Sequence, residues 1–144
     1  MNVIHISAEC YPIAKVGGLA DVVGSLPKYQ ENAGVKASVL MPFYNNRFTQ
    51  KNEFKTIATA EVSLGEKTYA YQVLALKKNS LAVEVIFIDI PELLFKEYVY
   101  SEDDTERFTA FQIAALDWIL SLKDKPSIIH CHDHHTGLIP FMLQ

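Results

Sequence analysis

Cysteine is scarce in this sequence: Cys10 and Cys131 are the only two in 144 residues. Two thiols in contexts that look buried point to a reducing compartment rather than a disulfide framework. Positive charge is in deficit as well, with 13 Lys and Arg against 17 Asp and Glu and a formal net charge of -4. That balance excludes a basic field for nucleic acid or an anionic membrane surface, and it makes small or neutral ligands the expected partners. Long hydrophobic runs are missing too. The most apolar stretches, residues 83–88 and 113–122, are too short or too interrupted by charge to span a bilayer. Met1 leads into "NVIHIS" without a basic segment followed by a long apolar one, so no secretory leader is expected and a cytoplasmic location fits. What the chain does have is a hydrophobic fraction of 49%, enough at this length to bury roughly 68–70% of its unfolded surface around one core.

Patterning gives the order of elements. Residues 2–8 are β-branched and uncharged, residues 19–33 carry apolar positions at helical spacing up to Gly34, and residues 35–41 form a second strand ending at Pro42. Strand, glycine turn, helix and strand together predict a βαβ unit with a parallel pair. Pro27 falls inside the helix, where it is expected to cause a kink. Three further strands are expected at residues 56–64, 68–76 and 81–89, the first two joined by a short turn at Gly65 as an antiparallel insertion. Residues 104–123 place Phe108, Phe111, Ala115, Trp118, Ile119 and Leu122 on one helical stripe, with Ser101 and Asp104 at capping-box spacing. A short strand at 128–132 and a helix from 136 to the end complete the expected α/β fold, a doubly wound, mainly parallel sheet.

Two polar clusters come directly after strands of such a sheet, and ligands of open parallel sheets sit at the carboxyl ends of strands. A site is therefore expected between Ser7–Gly18 and Cys131–His135. In "AKVGGLAD", Gly17 and Gly18 allow close backbone approach, the helix start favours anions, and Lys15 adds a charge, so a phosphate is one reading. A tight turn whose glycines serve packing and whose lysine is solvated is the other. In "IIHCHDHHTGL", strand alternation puts His130 and His132 on one face and Cys131 and Asp133 on the opposite one. His130 reads as a core histidine hydrogen-bonded inside the sheet, whereas Asp133, His134 and His135 lie where ligands are handled. His132 with Asp133 and His134 or His135 could be imagined around a metal, but adjacent side chains diverge and no second ligand cluster exists, so no metal is expected. The acids of "SEDDTERF" read as helix-dipole partners, and Tyr98 and Tyr100 as surface packing with a sugar groove as the alternative.

The stretch "SAECYPIAKVGGLADVVGSLPK" resembles the amino-terminal signature of bacterial glycogen synthases and plant starch synthases, and "HCHDHHTGL" is similar to their "HDWHTGL" segment at the matching distance. This resemblance implies the first half of a two-domain, Rossmann-like GT-B glucosyltransferase, with residues 1–144 as a truncated amino-terminal, glucan-acceptor domain and the donor-binding domain absent. It implies transfer of glucose from ADP-glucose, or UDP-glucose, to the non-reducing end of an α-1,4-glucan with retention, without cofactor or metal. Lys15, Gly17 and Gly18 would face the donor phosphates, and Asp133 would contact glucose at the reaction centre. Glu9 and Asp21 match signature positions, His134 stands in place of the usual tryptophan, and His135 is a further possible substrate contact. Tyr98 and Tyr100 are candidates for a tyrosine near the glucose. A stand-alone glucan- or nucleotide-binding module, or a transferase with another sugar donor, is the alternative.

Overall fold

Side-chain alternation along the strands sorts the core onto two faces of one sheet. The computed structural model describes residues 1–144, in the order β1 (Asn2–Ile6), α1 (Gly18–Asn32), β2 (Lys36–Pro42), α2 (Arg47–Lys51), β3 (Phe54–Leu64), β4 (Lys67–Leu76), β5 (Glu84–Asp89), α3 (Asp104–Ser121), β6 (Ile128–Cys131), a 3-10 turn (His134–Thr136) and α4 (Ile139–Met142). Ile4, Ile6, Leu40, Ile86 and Ile88 pack with Phe108, Phe111, Ala115 and Ile119 of α3 on one face. Val39, Met41, Val85 and Phe87 pack with Val23 of α1 on the other. Adjacent residues of β2 and β5 thus serve opposite cores, which explains why these strands are apolar without interruption.

The six strands lie in the order β3-β4-β5-β2-β1-β6. β1 pairs in parallel with both β2 and β6, β2 pairs in parallel with β5, and the hairpin β3–β4 extends the sheet antiparallel from β5. The doubly wound, mainly parallel α/β sheet with its antiparallel insertion is therefore present as expected. Gly65, at φ 62, opens the two-residue turn between Leu64 and Lys67, a backbone position that favours glycine. Winding reverses at β1: the chain first builds outward through β2 and β5, then returns to place β6 on the opposite flank of β1. Because β1 and β6 are parallel neighbours, with Ile6 opposite Cys131, the loops at their carboxyl ends leave the same edge together.

Three local expectations change. Nothing in the sequence pattern marks α2. It is one short turn, closed by a reciprocal box in which the Asn46 side chain accepts from the Thr49 N–H and the Thr49 hydroxyl accepts from the Asn46 N–H, both at 3.1 Å. The helix expected from Thr136 onward is instead the 3-10 turn and then the single turn α4, where Pro140 near the start of α4 supplies no N–H to continue the ladder. Only half of the Ser101–Asp104 box forms: the Asp104 carboxylate accepts the Ser101 N–H at 2.8 Å, but the Ser101 hydroxyl turns to the carboxylates of Asp103 and Asp104.

Asp104 is drawn by Arg107, which is fully buried. Its guanidinium donates to the carbonyls of Leu93 and Val99 at 2.7 and 2.8 Å and to Asp104 at 2.9 Å. A buried cation survives only with such partners, and these partners fix the irregular segment between β5 and α3.

At the end of β5, Asp89 is 9% exposed and one carboxylate oxygen has no partner. Burial pushes its carboxyl up to about 6. The folded state thus holds this proton more tightly than the unfolded chain does, so the residue's contribution to stability is most favourable near pH 4 and declines as pH rises through 6. Asp89→Asn should accordingly gain on the wild type by ~1–3 kcal/mol between pH 4 and pH 7.5. Denaturant unfolding of both proteins across that range measures the gain, and a stability difference that does not change with pH would contradict it.

Candidate functional site

The loops after β1 and β6 meet at the carboxyl edge of the sheet, and Glu9 organises the first. Ser7 begins the loop by accepting the Glu9 N–H at 3.2 Å and donating its own hydroxyl to the Glu9 carbonyl at 2.7 Å. The turn sends the Glu9 side chain inward, where it is 3% exposed. One carboxylate oxygen accepts the N–H groups of Val16 and Gly17 at 2.6 and 3.0 Å, and the other accepts the Tyr100 hydroxyl. Burial, with the Glu9 carboxylate beside it, pushes the Tyr100 hydroxyl far up, so it remains a donor at any physiological pH. Tyr100 is thus a structural part of the site rather than surface packing, whereas Tyr98 stays largely exposed with Arg107 against its ring at 5.1 Å.

This arrangement revises the anion reading of the glycine turn. The N–H groups of Val16 and Gly17 are committed to Glu9, which leaves those of Gly18 and Leu19 at the start of α1, a helix without a side-chain cap. Packing within the chain does not require these glycines, because a Cβ at Gly17 or Gly18 would meet nothing within 4 Å. Gly24 is the glycine that packing requires, since a Cβ there would lie 2.7 Å from the Tyr11 carbonyl oxygen. The reading in which Gly17 and Gly18 serve internal packing is therefore not supported.

Lys15 extends from the same loop and pairs with both carboxylate oxygens of Asp21 at 2.8 and 2.9 Å. The two side chains are 48% and 55% exposed, and a pair so open is worth only about 0–1 kcal/mol, so the ammonium can exchange partners cheaply. A cavity of about 450 Å³ opens beside Lys15 toward Asn46, Arg47 and Lys51.

The loop after β6 is held by backbone strain and short polar contacts. Asp133 has φ 64 and ψ -176, a conformation that is nearly exclusive to glycine. Its carboxylate accepts the His134 N–H at 2.7 Å and meets the His134 ring at 2.9 Å. These contacts hold its carboxyl below the usual range, so it is ionised at neutral pH. Asp133 does cap, but it caps a 3-10 turn and not a long helix. Thr136 closes that turn by donating to the His132 carbonyl at 2.9 Å, and Gln112 of α3 anchors the next residues by accepting the Leu138 N–H at 2.7 Å.

His134 and His135 separate in environment. His134 is solvent-facing, with its side chain 81% exposed. His135 is 6% exposed, stacks on Tyr100 with ring centroids 4.7 Å apart, and leaves Nδ1 buried without a partner. Burial and the neighbouring His134 push its pKa down, so the ring is neutral. Both histidines line a cavity of about 220 Å³ with Asp104, Thr109, Gln112 and Leu138. Tyr100 therefore joins the two loops, through its hydroxyl to Glu9 and through its ring face to His135.

His130 is not the hydrogen-bonded core histidine that the sequence suggested. It is half-buried, and His132 takes that role, 7% exposed and 2.9 Å from the His5 ring. The shared face of His130 and His132 is confirmed by ring centroids 4.1 Å apart. Sequence reasoning assigns no role to Arg107, Gln112, His5 or Gln30. A charged residue inside the apolar stripe of α3 is the one visible signal, and it points to Arg107. Ligand atoms lie within 4.8 Å of one another in two groups, His5 with His130 and His132, and Asp133 with His134 and His135. In the second group the carboxylate is already satisfied by His134.

Known proteins share this chain's sequence and fold. The family profile described as starch synthase catalytic domain matches residues 2–144. The whole chain is 53% identical to part of a glycogen synthase of Flavobacterium johnsoniae and 37% identical to part of a glycogen synthase of Streptococcus pneumoniae, spanning 31% and 30% of those proteins. Among solved structures, the catalytic domain of starch synthase IV from Arabidopsis thaliana, bound to ADP and acarbose, superposes with a TM-score of 0.85 at 31% identity, over 96% of this chain and 29% of that one. The chain thus spans about a third of the length of these relatives.

The strain at Asp133 is open to a direct test. Asp133→Gly removes a backbone penalty of ~1–3 kcal/mol while losing a cap that glycine replaces at a cost of a few tenths. The variant should therefore be more stable than the wild type by about 1 kcal/mol. Equilibrium unfolding in denaturant measures this, and a loss of stability would show that the carboxylate contacts outweigh the strain.

Proposed function

The chain belongs to the starch synthase catalytic-domain family, and on that premise we propose that it is the amino-terminal, glucan-acceptor domain of a longer retaining glucosyltransferase of the GT-B type. The complete protein would move glucose from ADP-glucose to the non-reducing end of an α-1,4-glucan in the cytoplasm, with no cofactor. One observation carries the reading. Two parallel neighbours, β1 and β6, bring a cation beside open helix N–H groups and a strained, ionised carboxylate to one edge, and a single tyrosine ties their loops together. The starch synthase IV structure bound to ADP and acarbose supports a nucleotide and a sugar as the ligands of this edge.

In this mechanism the bond from the anomeric carbon to the diphosphate breaks as the acceptor hydroxyl oxygen bonds to that carbon from the same face, negative charge builds on the phosphate, and the hydroxyl proton passes to the departing diphosphate. The N–H groups of Gly18 and Leu19 and the ammonium of Lys15, released from Asp21, are placed to receive that charge. Such fixed donors act more strongly on the transition state than on the ground state. Asp133, ionised and exposed, supplies negative charge toward the positive sugar. Glu9 works at one remove: it holds the Val16 and Gly17 N–H groups and thereby sets the loop that presents Lys15 and Gly18. His135 is a neutral imidazole facing the cavity it shares with His134, suited to hydrogen bonding a sugar hydroxyl.

In the complete protein, Lys15→Ala should lower turnover tenfold to a hundredfold, since a charge-assisted contact is worth about 1.5–3 kcal/mol. Unchanged turnover at saturating donor would remove Lys15 from the mechanism. Gly18→Ala separates ligand approach from packing: melting temperature should hold or rise, because alanine favours the helix and meets no neighbour, while donor affinity falls. A lowered melting temperature with intact donor binding would reverse that assignment. Asp133→Asn keeps the shape and the cap, so near-native melting with a large loss of turnover is expected. Near-native turnover would confine Asp133 to its structural role.

A further inference from the structure

On the α1 face of the sheet, three imidazoles from β1, β6 and the residue just after β6 converge. His5 of β1 lies opposite His130 of β6, and His132 comes next on the same face. Ring centroids are 4.9 Å apart for His5 and His130, 5.2 Å for His5 and His132, and 4.1 Å for His130 and His132. His5 Nε2 lies 2.6 Å from Gln30 Oε1, which can only accept, so that nitrogen carries the proton. His5 Nδ1 is then a bare lone pair, and it faces His132 Nε2 at 2.9 Å. The two nitrogens share one proton and face each other directly.

We propose that His5, His130 and His132 form a binding site for a d-block divalent cation of the imidazole-preferring kind, such as zinc or cobalt. Metal–nitrogen bonds of 2.0–2.1 Å at a tetrahedral angle put two nitrogens about 3.3 Å apart. His5 and His132 therefore need to separate by a few tenths of an ångström and to turn so that both lone pairs meet at the ion. His132 contributes by shifting its proton from Nε2 to Nδ1 of the same ring, so its charge does not change. All three residues offer a ligand atom within 4.8 Å of the others, and His130, half-buried and without a hydrogen bond of its own, can turn its ring toward the same point. His5 is oriented from behind by Gln30, the kind of outer partner that fixes the tautomer of a metal-ligating histidine. Burial pushes His5 down and His132 to about 4, which keeps both rings neutral and available to a metal at neutral pH. No carboxylate belongs to the set, so magnesium and calcium are poor fits. The bound ion would cross-link edge strand β6 to β1 and, through Gln30, to α1.

The test uses cobalt(II) and zinc(II) with the untagged protein at pH 7.5. Titration with cobalt should give one equivalent of binding with the intense visible absorption of a four-coordinate site built on three nitrogens and one water, zinc should displace it, and zinc should raise the melting temperature. His130→Gln should weaken binding at least tenfold without disturbing the fold, since His130 holds no hydrogen bond that the fold depends on. Gln30→Ala should weaken it by roughly tenfold to a hundredfold. His134→Gln, which alters the other group of ligand atoms, should leave binding unchanged. Absence of stoichiometric cobalt binding, or binding that survives His130→Gln and disappears with His134→Gln, would overturn the proposal.

Discussion

The Glu9 carboxylate accepts hydrogen bonds from Val16, Gly17 and Tyr100 while almost wholly withdrawn from water. An acid so buried is tolerable only because each oxygen has donors, and charge-assisted bonds of this kind are worth about 1.5–3 kcal/mol apiece. Removing any one donor would leave a buried charge short of a partner. The loop conformation, the start of α1 and the position of Tyr100 are consequently set together. Since Tyr100 also stacks on His135, the geometry of the β6 loop depends on the same carboxylate.

Placing Tyr100 there requires the irregular chain between β5 and α3 to be fixed, and Arg107 does this from the inside. Its guanidinium ties the Leu93 and Val99 carbonyls to α3, with Asp104 as the counter-charge. Glu9 and Arg107 are thus two buried charges of opposite sign, one at each end of a short route through Tyr100. Neither meets substrate in the proposed reaction, and both decide where the groups that do so can stand. Asp133 adds the opposite tactic, a backbone held in a glycine conformation so that its carboxylate remains exposed beside His134.

The same parallel pairing that creates this edge also creates the histidine cluster beneath it. Alternation on β6 sends His130 and His132 to the α1 face, and the β1 register brings His5 between them. A polar patch inside an α/β sheet survives because each buried nitrogen finds a partner: Gln30 for His5, and His5 for His132. The edge strand is in this way joined to the rest of the sheet by side chains as well as by its ladder.

The sequence alone determined the order of the six strands and of the two long helices, the antiparallel insertion and the two loops that carry the candidate site. Those features rest on local periods of 2 and 3.6, on glycine at turns, and on two motifs whose residues are near one another in the chain. It singled out Lys15, Gly18 and Asp133 as candidates for the same reason. It could not determine that Glu9 is buried against Tyr100, 91 residues away, with the Val16 and Gly17 N–H groups as its other partners. Nor could it pair His5 with His132 across 127 residues, or foresee that His130 would be the least buried of the three histidines. Those outcomes come from strand order and register, which bring distant side chains together, and no local pattern encodes that β6 becomes the second neighbour of β1. The left-handed backbone of Asp133 belongs with them, because it is imposed by the packing on both sides of the turn against the residue's own preference.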